Sequence, residues 1–324
     1  MAERLMVVVG YESAELLDIA CVTTSLAMAN GIGDPAVPYR VSVVGPGGAP
    51  IVCGSGLTLG TGQSLERCVG PLDTLIVSGG TGFERAAADT RLVGHVRRLA
   101  RESRRVASVC TGAAVLAAAG LLDGRRATTH WRFADSLAHR HPEVTMDPAP
   151  IYIRDGNVYT AAGITSALDL TLALIEEDHG PGLARQVSRD LVTYLQRPGN
   201  QAQMSLFTAA PPPRDDLVRE IVLHIGAHPD HDLSTAALAA RAGVTPRHLT
   251  RLFTEHLGRA PGRYVRQART EAAAHLLVST TLPMESVAAR CGFGTAESLR
   301  QAFTSRFGVA PSHYRSTQTR HRSR

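Results

Sequence analysis

The chain has 324 residues, of which 44% are hydrophobic, 5% aromatic and 19% charged. This composition excludes disordered and collagen-like chains, and it supplies enough apolar material for a sizeable core and two domains. No run approaches the roughly eighteen uncharged apolar residues that a membrane-spanning helix needs, and the segment from Met1 to Leu5 is too charged for a signal peptide. We therefore expect a cytoplasmic protein without a membrane partner.

Charge is distributed unequally along the chain. Residues 1–210 carry 18 arginines and 20 acidic residues, a net charge of −2, whereas residues 211–324 carry 16 arginines and 9 acidic residues, a net charge of +7. A basic C-terminal third predicts a nucleic-acid-binding module attached to a near-neutral domain. We place the N-terminal domain at residues 1–205, a linker with three prolines at 206–215, the C-terminal domain at 216–316 and a basic disordered tail at 317–324.

The cysteines lack the spacing of a disulfide framework or a zinc site. There are five of them, with no CxxC pair and no Cys/His ligand pattern: Cys21, Cys53, Cys68, Cys110 and Cys291. We expect no metal ion and no cofactor.

Strand-like and helical segments alternate in the N-terminal domain. Short apolar runs at residues 5–9, 39–44 and 74–77 are each followed by a loop that contains glycine. Helical patterns occupy residues 14–30, 92–101, 168–177 and 182–195. This alternation predicts an α/β domain with a mostly parallel sheet flanked by helices on both faces. Ligands of such sheets bind at the carboxyl ends of the strands.

Residues 105–117 carry the sharpest local signal of this domain. A β-branched run turns directly into an alanine-rich helix, with Cys110 at the corner and Gly112 two residues later. This is the layout of a nucleophile elbow, which exposes the side chain and lets the helix N-terminus stabilise a thiolate. The alternative interpretation is that Cys110 only packs at the end of a strand.

Two further features extend the pattern around Cys110. The glycine-rich segment 78–82 closes the preceding strand, and His130 lies twenty residues after Cys110. Together with Asp18, these residues resemble the ThiJ/PfpI family, which shares the class I glutamine-amidotransferase fold. The resemblance implies a flavodoxin-like, amidotransferase-like sheet with Cys110 as the elbow residue and His130 as its imidazole partner.

Asp18 departs from that family's pattern. By the resemblance, it stands where catalytic relatives carry a glutamate that hydrogen-bonds the thiol. Aspartate is one methylene shorter, so we expect no catalysis and interpret Cys110, His130 and Asp18 as a vestigial or sensing elbow.

Three segments further along resemble GlxA-type regulators, which join this fold to a second domain. They are residues 159–170, 176–180 and 197–203. The resemblance implies a small-molecule effector, with the loop at residues 163–166 closing the pocket over the elbow. The implied ligand-binding residues are Gly79, Gly80, Cys110, Thr111, His130, Gly163 and Ile164. For Asp169, a local helix hydrogen bond and a role in the site remain equally open.

The C-terminal domain contains an internal repeat. Residues 238–244 reappear as residues 287–293, a period of 49 residues, and the following motifs reappear with a period of 50. The second set pairs Leu249, Phe253, Gly258, Ala260, Pro261 and Tyr264 with Leu299, Phe303, Gly308, Ala310, Pro311 and Tyr314. Each copy predicts a short helix, a glycine turn and a second helix, which is a helix-turn-helix. A small helical bundle with merely solvated arginines is the alternative.

The helix boundaries follow from capping signals. In the first copy a helix runs from Ser234 or Thr235 to about Ala242, and Thr245 and Pro246 start the second helix. In the second copy the corresponding helices begin near Met284 and after Thr295. A connecting helix from Pro261 to about Leu277 would be about 25 Å long, which brings the two recognition helices close to one DNA turn, about 34 Å, apart.

Residues 217–315 resemble the DNA-binding domain of AraC/XylS regulators, especially in the segments 290–293, 303–308 and 310–315. The resemblance implies an all-α domain of seven helices with two helix-turn-helix motifs, bound to double-stranded operator DNA. RNA polymerase is an expected partner if the protein activates transcription. The implied base readers are Arg247, His248, Thr250 and Arg251 in the first motif and Ala296, Glu297, Arg300 and Gln301 in the second. We expect Glu297 to accept a hydrogen bond from a cytosine amino group.

These observations favour a DNA-binding regulator whose N-terminal domain keeps an enzyme fold as a sensor and, by the resemblance, forms a homodimer. Two alternatives stay open. In one, the protein is a cysteine-dependent amidase or glyoxal-type hydratase, in which Cys110 attacks a carbonyl, His130 moves protons, and the amides of Gly80 and Thr111 hold the oxyanion. In the other, it is a redox sensor in which Cys110 is oxidised to a sulfenic acid.

Overall fold

The computed structural model of the protein describes residues 3–193, 199, 203, 215–307 and 309–319. The chain divides into two compact units, residues 1–203 and residues 204–324. Each unit is described below by itself.

The N-terminal unit is built on a seven-stranded sheet. Its described strands are β1 (Arg4–Val9), β2 (Tyr39–Gly45), β3 (Ile51–Val52), β4 (Thr58–Leu59), β5 (Gln63–Ser64), β6 (Leu72–Val77), β7 (Ser103–Val109), β8 (Arg126–Ala127), β9 (Thr145–Met146), β10 (Tyr152–Asp155) and β11 (Val158–Ala161). Its described helices are α1 (Leu16–Gly33), α2 (Phe83–Ala88), α3 (Thr90–Arg101), α4 (Gly112–Ala118), α5 (Trp131–Arg140), α6 (Ser166–His179) and α7 (Pro181–Asp190).

The order of the large sheet is β10-β11-β7-β6-β1-β2-β5, and all neighbours are parallel except β10 and β11. The predicted mostly parallel sheet is therefore confirmed. The chain passes from β1 to β2 on one side and returns to β6 on the other, so the strand order reverses at β1. Such a switch point leaves a crevice at the carboxyl ends of the strands, here β1 and β6.

Helix α4 packs against the sheet through its N-terminal glycine. A Cβ atom on Gly112 would lie 2.4 Å from the carbonyl oxygen of Val77 and 2.7 Å from that of Ser78. Only glycine permits this approach of the helix to the end of β6. The described residues of α4 from Gly112 to Ala117 are all buried, which explains their small apolar side chains.

Helix α1 corrects one expectation from the sequence. It is 18 residues long with a mean hydropathy of 1.4, so it is long and apolar enough to cross a membrane. We had expected no segment with these properties. Nevertheless, α1 packs against α6, α7 and β2 and buries Asp18 and Leu26. The packing accounts for its apolar composition as that of a core helix.

Two predicted helix limits also differ from the structure. Helix α1 begins at Leu16 rather than at Ala14, because Ala14 forms a bridge with Gly80 and Glu15 caps the helix. Helix α7 ends at Asp190 rather than at residue 195, and Val192 has a φ of 53° that cannot continue a helix. The remaining residues of that prediction, 194 and 195, lie outside the described residues.

At the amino ends of the strands, a buried ion-pair cluster ties β1, β6 and β7 to the end of α6. Arg105, whose side chain is 3% exposed, donates to Asp178 at 2.6 Å and to Asp73 at 3.2 Å. Arg104 donates to the same two carboxylates at 2.7 and 2.8 Å. Burial alone would raise the pKa of Asp73, but hydrogen bonds from Arg104, Thr74 and Arg4 outweigh it and lower the pKa to about 2.

The described part of the C-terminal unit is helical, as predicted. Its helices are α8 (Asp216–Ala227), α9 (Thr235–Arg241), α10 (Pro246–Leu257), α11 (Pro261–Ser279), α12 (Met284–Arg290), α13 (Ala296–Phe307) and α14 (Pro311–Thr319). The turns at Gly243 and Gly292 have φ of 66° and 71°, the left-handed conformation that glycine favours. Thr245 and Thr295 cap α10 and α13 by accepting from the backbone N–H of His248 and Ser298.

Several predicted segments fall partly outside the described residues. Asp215, the last residue of the predicted linker, instead caps α8 by accepting from the N–H of Val218. The backbone of residues 317–319 continues α14 into the predicted tail. The predictions for residues 206–214 and 320–324, for Gly308 of the repeat, and for most of residues 197–203 lie outside the described part of the chain.

Candidate functional site

Three loops meet at the carboxyl ends of β1, β6 and β7. The loop after β1 leads to Asp18 in the first turn of α1, the loop after β6 contains Gly79 and Gly80, and Cys110 follows β7. The switch point of the sheet brings these residues together although they are up to 92 positions apart. They form the candidate ligand site.

Cys110 occupies a strained turn between β7 and α4. Its φ is 52°, a left-handed conformation that residues with a side chain rarely adopt. The turn is held by hydrogen bonds from Cys110 N–H to the carbonyl of Ala161 at 2.9 Å and from Thr129 Oγ1 to the carbonyl of Cys110 at 2.8 Å. The predicted strand-turn-helix elbow is present in the geometry of the backbone.

The side chain of Cys110 does not have the predicted exposure or charge. It is only 7% exposed, and burial together with the negative charge of Asp18 raises the pKa of the thiol to about 12. Hydrogen bonds from the backbone and side chain of Thr111 favour the thiolate but do not outweigh burial. The expectation of an exposed, stabilised thiolate is therefore wrong, and the thiol is protonated at neutral pH.

Asp18 is 1% exposed, and its two carboxylate oxygens differ in their partners. Oδ2 accepts from the N–H of Gly79 at 2.9 Å, whereas Oδ1 has no hydrogen-bond partner in the described structure. Burial raises the pKa of Asp18 to about 7; the hydrogen bond from Gly79 opposes this shift and the charge of Glu15 adds to it. Near neutral pH the carboxyl group is thus only partly ionised.

The N–H of Gly80, one of the two amides expected to hold an oxyanion, already has a partner, and so does the neighbouring N–H of Gly79. The N–H of Gly79 donates to Asp18, and the N–H of Gly80 donates to Thr111 Oγ1 at 2.9 Å. The hydroxyl of Thr111 in turn donates to the carbonyl of Gly80 at 3.0 Å. The N–H of Gly80 is therefore not free to hold an oxyanion, because the side chain of Thr111, 31 positions away in the sequence, accepts from it.

His130 is not paired with Cys110 in the described structure. The imidazole Nδ1 accepts from the N–H of Arg132 at 3.3 Å, and the ring stacks on Trp131 with 5.6 Å between centroids. Burial, with a smaller effect of the positive charge of Arg132, lowers the pKa of His130. The predicted imidazole partner therefore serves as the cap of α5 and is neutral at physiological pH.

The loop predicted to close the site does lie beside His130. A Cβ atom on Gly163 would be 3.7 Å from His130 Cδ2, and the N–H of Gly163 donates to Ser166 Oγ at 3.2 Å. Ile164 follows in the same loop and is half-buried. Asp169 is buried in the first turn of α6, and its negative charge contributes to the raised pKa of Cys21.

Sequence reasoning missed two residues of this region, Tyr11 and Gln203. Tyr11 follows β1, and its hydroxyl donates to the carbonyl of Ser78 at 3.0 Å. Burial, followed by the charge of Asp18, raises the pKa of Tyr11. Its place directly after a buried strand is a signal that could have identified it.

Gln203 binds the loop that carries His130. Its Oε1 accepts from the N–H of Trp131 at 2.9 Å, and its Nε2 donates to the carbonyl of Thr129 at 2.8 Å and to Thr128 Oγ1 at 3.1 Å. The backbone N–H of Gln203 donates to the carbonyl of Ala149 at 2.9 Å. These partners lie more than fifty residues away in the sequence, so no local pattern indicates them.

The predicted base readers lie at the starts of α10 and α13. Arg247, His248 and Arg251 are exposed on α10, where Thr250 Oγ1 donates to the carbonyl of Pro246 at 2.8 Å.

On α13, Glu297, Arg300 and Gln301 are exposed, while Ala296 is half-buried at the first helical position. Both sets occupy the first turns of the second helix of a helix-turn-helix, the part that contacts base edges in such motifs.

The described residues contain no group of three or more His, Cys, Asp or Glu side chains arranged to hold a metal ion.

Comparison with known proteins assigns a family to each part of the chain. Residues 5–177 match the DJ-1/PfpI family, and residues 238–317 match a helix-turn-helix domain. The chain is 32% identical over 306 residues to the HTH-type transcriptional regulator GlxA of Rhizobium meliloti, covering 93% of this chain and 92% of the relative. It is 34% identical over 281 residues to the HTH-type transcriptional regulator CdhR of Pseudomonas aeruginosa, covering 86% and 82%.

Two further similarities cover smaller parts of the chain. An isonitrile hydratase of Pseudomonas putida is 39% identical over 145 residues, which is 44% of this chain and 60% of the relative. The crystal structure of a ThiJ/PfpI family protein from Pseudomonas syringae superimposes with a TM-score of 0.55 at 24% identity, covering 70% of this chain and 87% of that chain, and supports the fold. The chain therefore belongs to the HTH-type transcriptional regulators that join a DJ-1/PfpI domain to an AraC-type DNA-binding domain.

Proposed function

We propose that the N-terminal domain of this DNA-binding regulator binds a small-molecule effector at the carboxyl end of its sheet and does not catalyse a reaction. The C-terminal domain reads operator DNA with the exposed residues at the starts of α10 and α13. The protein works in the cytoplasm as a homodimer that engages paired sites, with RNA polymerase as a further partner if it activates transcription.

The observation that supports the assignment as a sensor is that the thiol of Cys110 is buried and protonated. A pKa of about 12 leaves almost no thiolate at neutral pH, and the thiolate is the nucleophilic form of cysteine. The imidazole of His130 is bonded elsewhere, and the amides of Gly79 and Gly80 donate to side chains of the protein. These contacts argue against the amidase and hydratase alternatives, which require a thiolate nucleophile, a free imidazole base and a free N–H on Gly80. Burial of the thiol also argues against the redox sensor.

The unpartnered oxygen of Asp18 indicates the chemistry of the effector. A buried acceptor without a partner costs about 1–3 kcal/mol, and a ligand that donates to it recovers that cost. An effector with an ammonium, amide N–H or hydroxyl group fits this oxygen. Ionised Asp18 favours a cationic donor, which places nitrogen-containing metabolites first.

A chain of hydrogen bonds supports coupling between the site and the second domain. The carbonyl of Cys110 accepts from Thr129, whose own carbonyl accepts from Gln203. Gln203 is the last residue of the N-terminal unit. A ligand that displaces the loop at Thr129 therefore breaks or tightens the contacts that hold the end of this unit.

DNA binding is tested by gel-shift titration of the full chain at fixed salt. The probes are fragments upstream of its own and neighbouring genes, and wild type is compared with Cys110→Ala. We expect both proteins to bind the same fragment specifically. Absence of specific binding by either protein, with and without candidate effectors, contradicts the assignment of the reading helices.

The effector is sought by thermal shift with a set of amines, amides and carboxylates. A compound at one hundred times its Kd stabilises the N-terminal domain by about 2.7 kcal/mol and must also change DNA affinity. Asp18→Asn should lose the response to cationic compounds. Consumption of a compound by wild type but not by Cys110→Ala contradicts the sensor assignment.

Coupling is tested with Gln203→Ala, and with Gln186→Ala on the exposed face of α7 as the matched control. The ratio of DNA affinities with and without effector should fall toward one from the roughly 5- to 150-fold typical of allosteric coupling, while DNA affinity without effector stays unchanged. Equal ratios in the two variants exclude this route.

Cysteine-dependent hydration is the second candidate function, because one observation favours it. The carboxyl group of Asp18, with a pKa of about 7 and close enough to Cys110 to raise the pKa of the thiol, has the proton affinity of a general acid–base group. The consumption assay with Cys110→Ala distinguishes this function from sensing.

A further inference from the structure

On α13, Glu297 and Arg300 form a pair that holds both side chains in one arrangement. Arg300 Nε donates to Glu297 Oε2 at 2.7 Å, and Arg300 Nη2 donates to Oε1 at 2.7 Å. Gln301 Nε2 adds a third hydrogen bond to Oε1 at 3.1 Å. All three residues are exposed, and a bidentate pair of this kind fixes the plane of the guanidinium group.

The pair leaves a second edge of Arg300 for another partner. A guanidinium group has five N–H donors, and the contact with Glu297 uses the edge formed by Nε and Nη2. In the described structure Nη1 makes no hydrogen bond, so the edge formed by Nη1 and the second N–H of Nη2 remains available. Two parallel N–H groups on this edge match the N7 and O6 acceptors of guanine.

The carboxylate next to this edge complements the rest of the base pair. In the major groove a G·C pair presents guanine N7, guanine O6 and the cytosine amino group, which are two acceptors followed by one donor. Arg300 supplies two N–H donors, and the carboxylate of Glu297 supplies an acceptor next to Nη2 of Arg300. The pair thus offers the complement of one complete G·C edge.

Among the residues that the structure describes, the first helix-turn-helix has no equivalent pair. The repeat aligns Glu297, Arg300 and Gln301 with Arg247, Thr250 and Arg251. Arg251 makes a single contact of 3.3 Å with Glu255, which lies one turn further from the helix start. The start of α10 therefore offers separate positive charges to DNA, whereas the start of α13 offers a neutral, oriented pair.

We propose that Arg300 and Glu297 act as one unit that reads a single G·C base pair, with Glu297 as the residue that positions Arg300 and accepts from the cytosine. This inference rests on the proposed function of α13 as a helix that enters the major groove. Gln301 and Arg300 hold Glu297 in its charged form, because their hydrogen bonds lower the pKa of its carboxyl group.

The pair has a consequence for affinity that a simple phosphate contact lacks. Glu297 cancels the charge of Arg300 and repels the phosphate backbone. Glu297→Ala should therefore strengthen binding to random-sequence DNA while it weakens discrimination at one base pair. An arginine that only contacts phosphate changes affinity for all sequences equally.

The experiment is selection of binding sites from a randomised DNA library by the full-length protein. Wild type is compared with Glu297→Ala, Glu297→Gln and Arg300→Ala. Arg219→Ala is the matched control, because Arg219 on α8 pairs with Asp216 at the same spacing of three residues. We expect wild type and Arg219→Ala to select one motif, Arg300→Ala to lose preference for guanine at one position with an about 10- to 100-fold lower affinity, and both Glu297 variants to broaden the same position.

A base analogue supplies the second measurement. Replacing the selected guanine with 7-deazaguanine removes the N7 acceptor and should weaken wild type but have no further effect on Arg300→Ala. The inference is overturned if the analogue weakens both proteins equally, or if the Glu297 variants keep the base preference of wild type. If wild type selects no motif, the proposed reading by α13 also fails; if it selects a motif that none of the variants alters, only the present inference fails.

Discussion

At the amino end of the sheet, Asp178 is buried among the guanidinium groups of Arg104 and Arg105, whereas at the carboxyl end Asp18 is equally buried with one amide donor. The Asp178 side chain and Asp18 are each 1% exposed. In the amino-end cluster the pKa of Asp73 falls to about 2, while the pKa of Asp18 rises to about 7. Burial raises the pKa of both carboxyl groups, but hydrogen bonds from Arg104, Thr74 and Arg4 outweigh it at Asp73, whereas the one amide donor does not outweigh it at Asp18.

The two ends of the sheet differ in how their polar groups are satisfied. At the amino end, ion pairs join Arg4, Arg104 and Arg105 to Asp73 and Asp178, although Arg4 Nε has no hydrogen-bond partner in the described structure. The carboxyl end keeps a strained cysteine, an unpartnered carboxylate oxygen and glycine-lined backbone. Strained backbone and carboxyl groups with a shifted pKa are typical of ligand sites, and the carboxyl end is where we propose that the effector binds.

Asp178→Ala tests the amino end and has the largest expected effect. It leaves Arg104 and Arg105 without a main partner, and loss of one member of a buried pair costs about 3–5 kcal/mol. The free energy of unfolding is measured by urea denaturation. Asp216→Ala, which breaks the exposed pair with Arg219, is the control and should cost less than about 1 kcal/mol. A cost below that value for Asp178→Ala would show that the cluster does not stabilise the domain.

Asp18→Asn tests the carboxyl end through pH. The folded pKa of about 7 lies above the ordinary aspartate value of 3.8, so between these values the folded state holds a proton that the unfolded state has lost. Stability of the N-terminal domain should therefore fall as pH rises from about 4 to about 7, by about 4 kcal/mol, and level off above. Asp18→Asn should remove this slope and be more stable than wild type at pH 8. Parallel pH profiles of the two proteins would contradict the assignment.

Gly79→Ala tests how tightly the carboxyl end is packed. The added Cβ would lie 2.6 Å from Cys110 Cβ and 2.7 Å from Asp18 Oδ2, so we expect a loss of about 1–3 kcal/mol in the free energy of unfolding. Gly94→Ala in α3 is the control, because nothing lies within 4 Å of its added Cβ. There alanine should stabilise the helix by about 0.5–1 kcal/mol. If both variants changed the free energy of unfolding in the same direction, the residues around Gly79 would have to move to accommodate the added Cβ without cost.

The rate of alkylation of Cys110 should change least, but it reports most directly on the interaction between Asp18 and the thiol. The charge of Asp18 contributes to the raised pKa of the thiol, so Asp18→Asn should speed reaction with iodoacetamide at pH 8 by about three- to tenfold. Peptide mass spectrometry resolves the individual cysteines. Cys291 in the other unit, whose pKa burial raises to about 11, is the internal control and should not change. An unchanged rate at Cys110 would rule out the influence of Asp18.

Local patterns predicted those parts of the molecule that local physics determines. The buried runs of β1, β2 and β6 and the corner at Cys110 were confirmed as strands and a strand-turn-helix. The repeated caps and glycine turns around Thr245 and Thr295 placed α10 and α13 correctly. These signals span only a few residues, within which propensity and capping act.

Contacts between distant segments escaped prediction. The amide of Gly79 is occupied by a carboxylate 61 positions away, and the cluster of Asp178 joins residues up to 174 positions apart. The burial of Cys110 and the capping role of His130 depend on loops that arrive from other strands. The local motif therefore predicted the strand, turn and helix around Cys110 but could not show which of the neighbouring donors were already in use.

The contacts of Gln203 also define how this regulator can be recombined. The side chain of Gln203, the final residue of the N-terminal unit, forms hydrogen bonds with the loop that carries His130, so a chimera joined upstream of it would exchange the DNA-binding domain and lose these contacts. Transplanting the N-terminal domain onto another DNA-binding domain requires a junction downstream of Gln203. Gln203 thus marks the earliest junction in the chain at which the two domains can be exchanged without loss of these contacts.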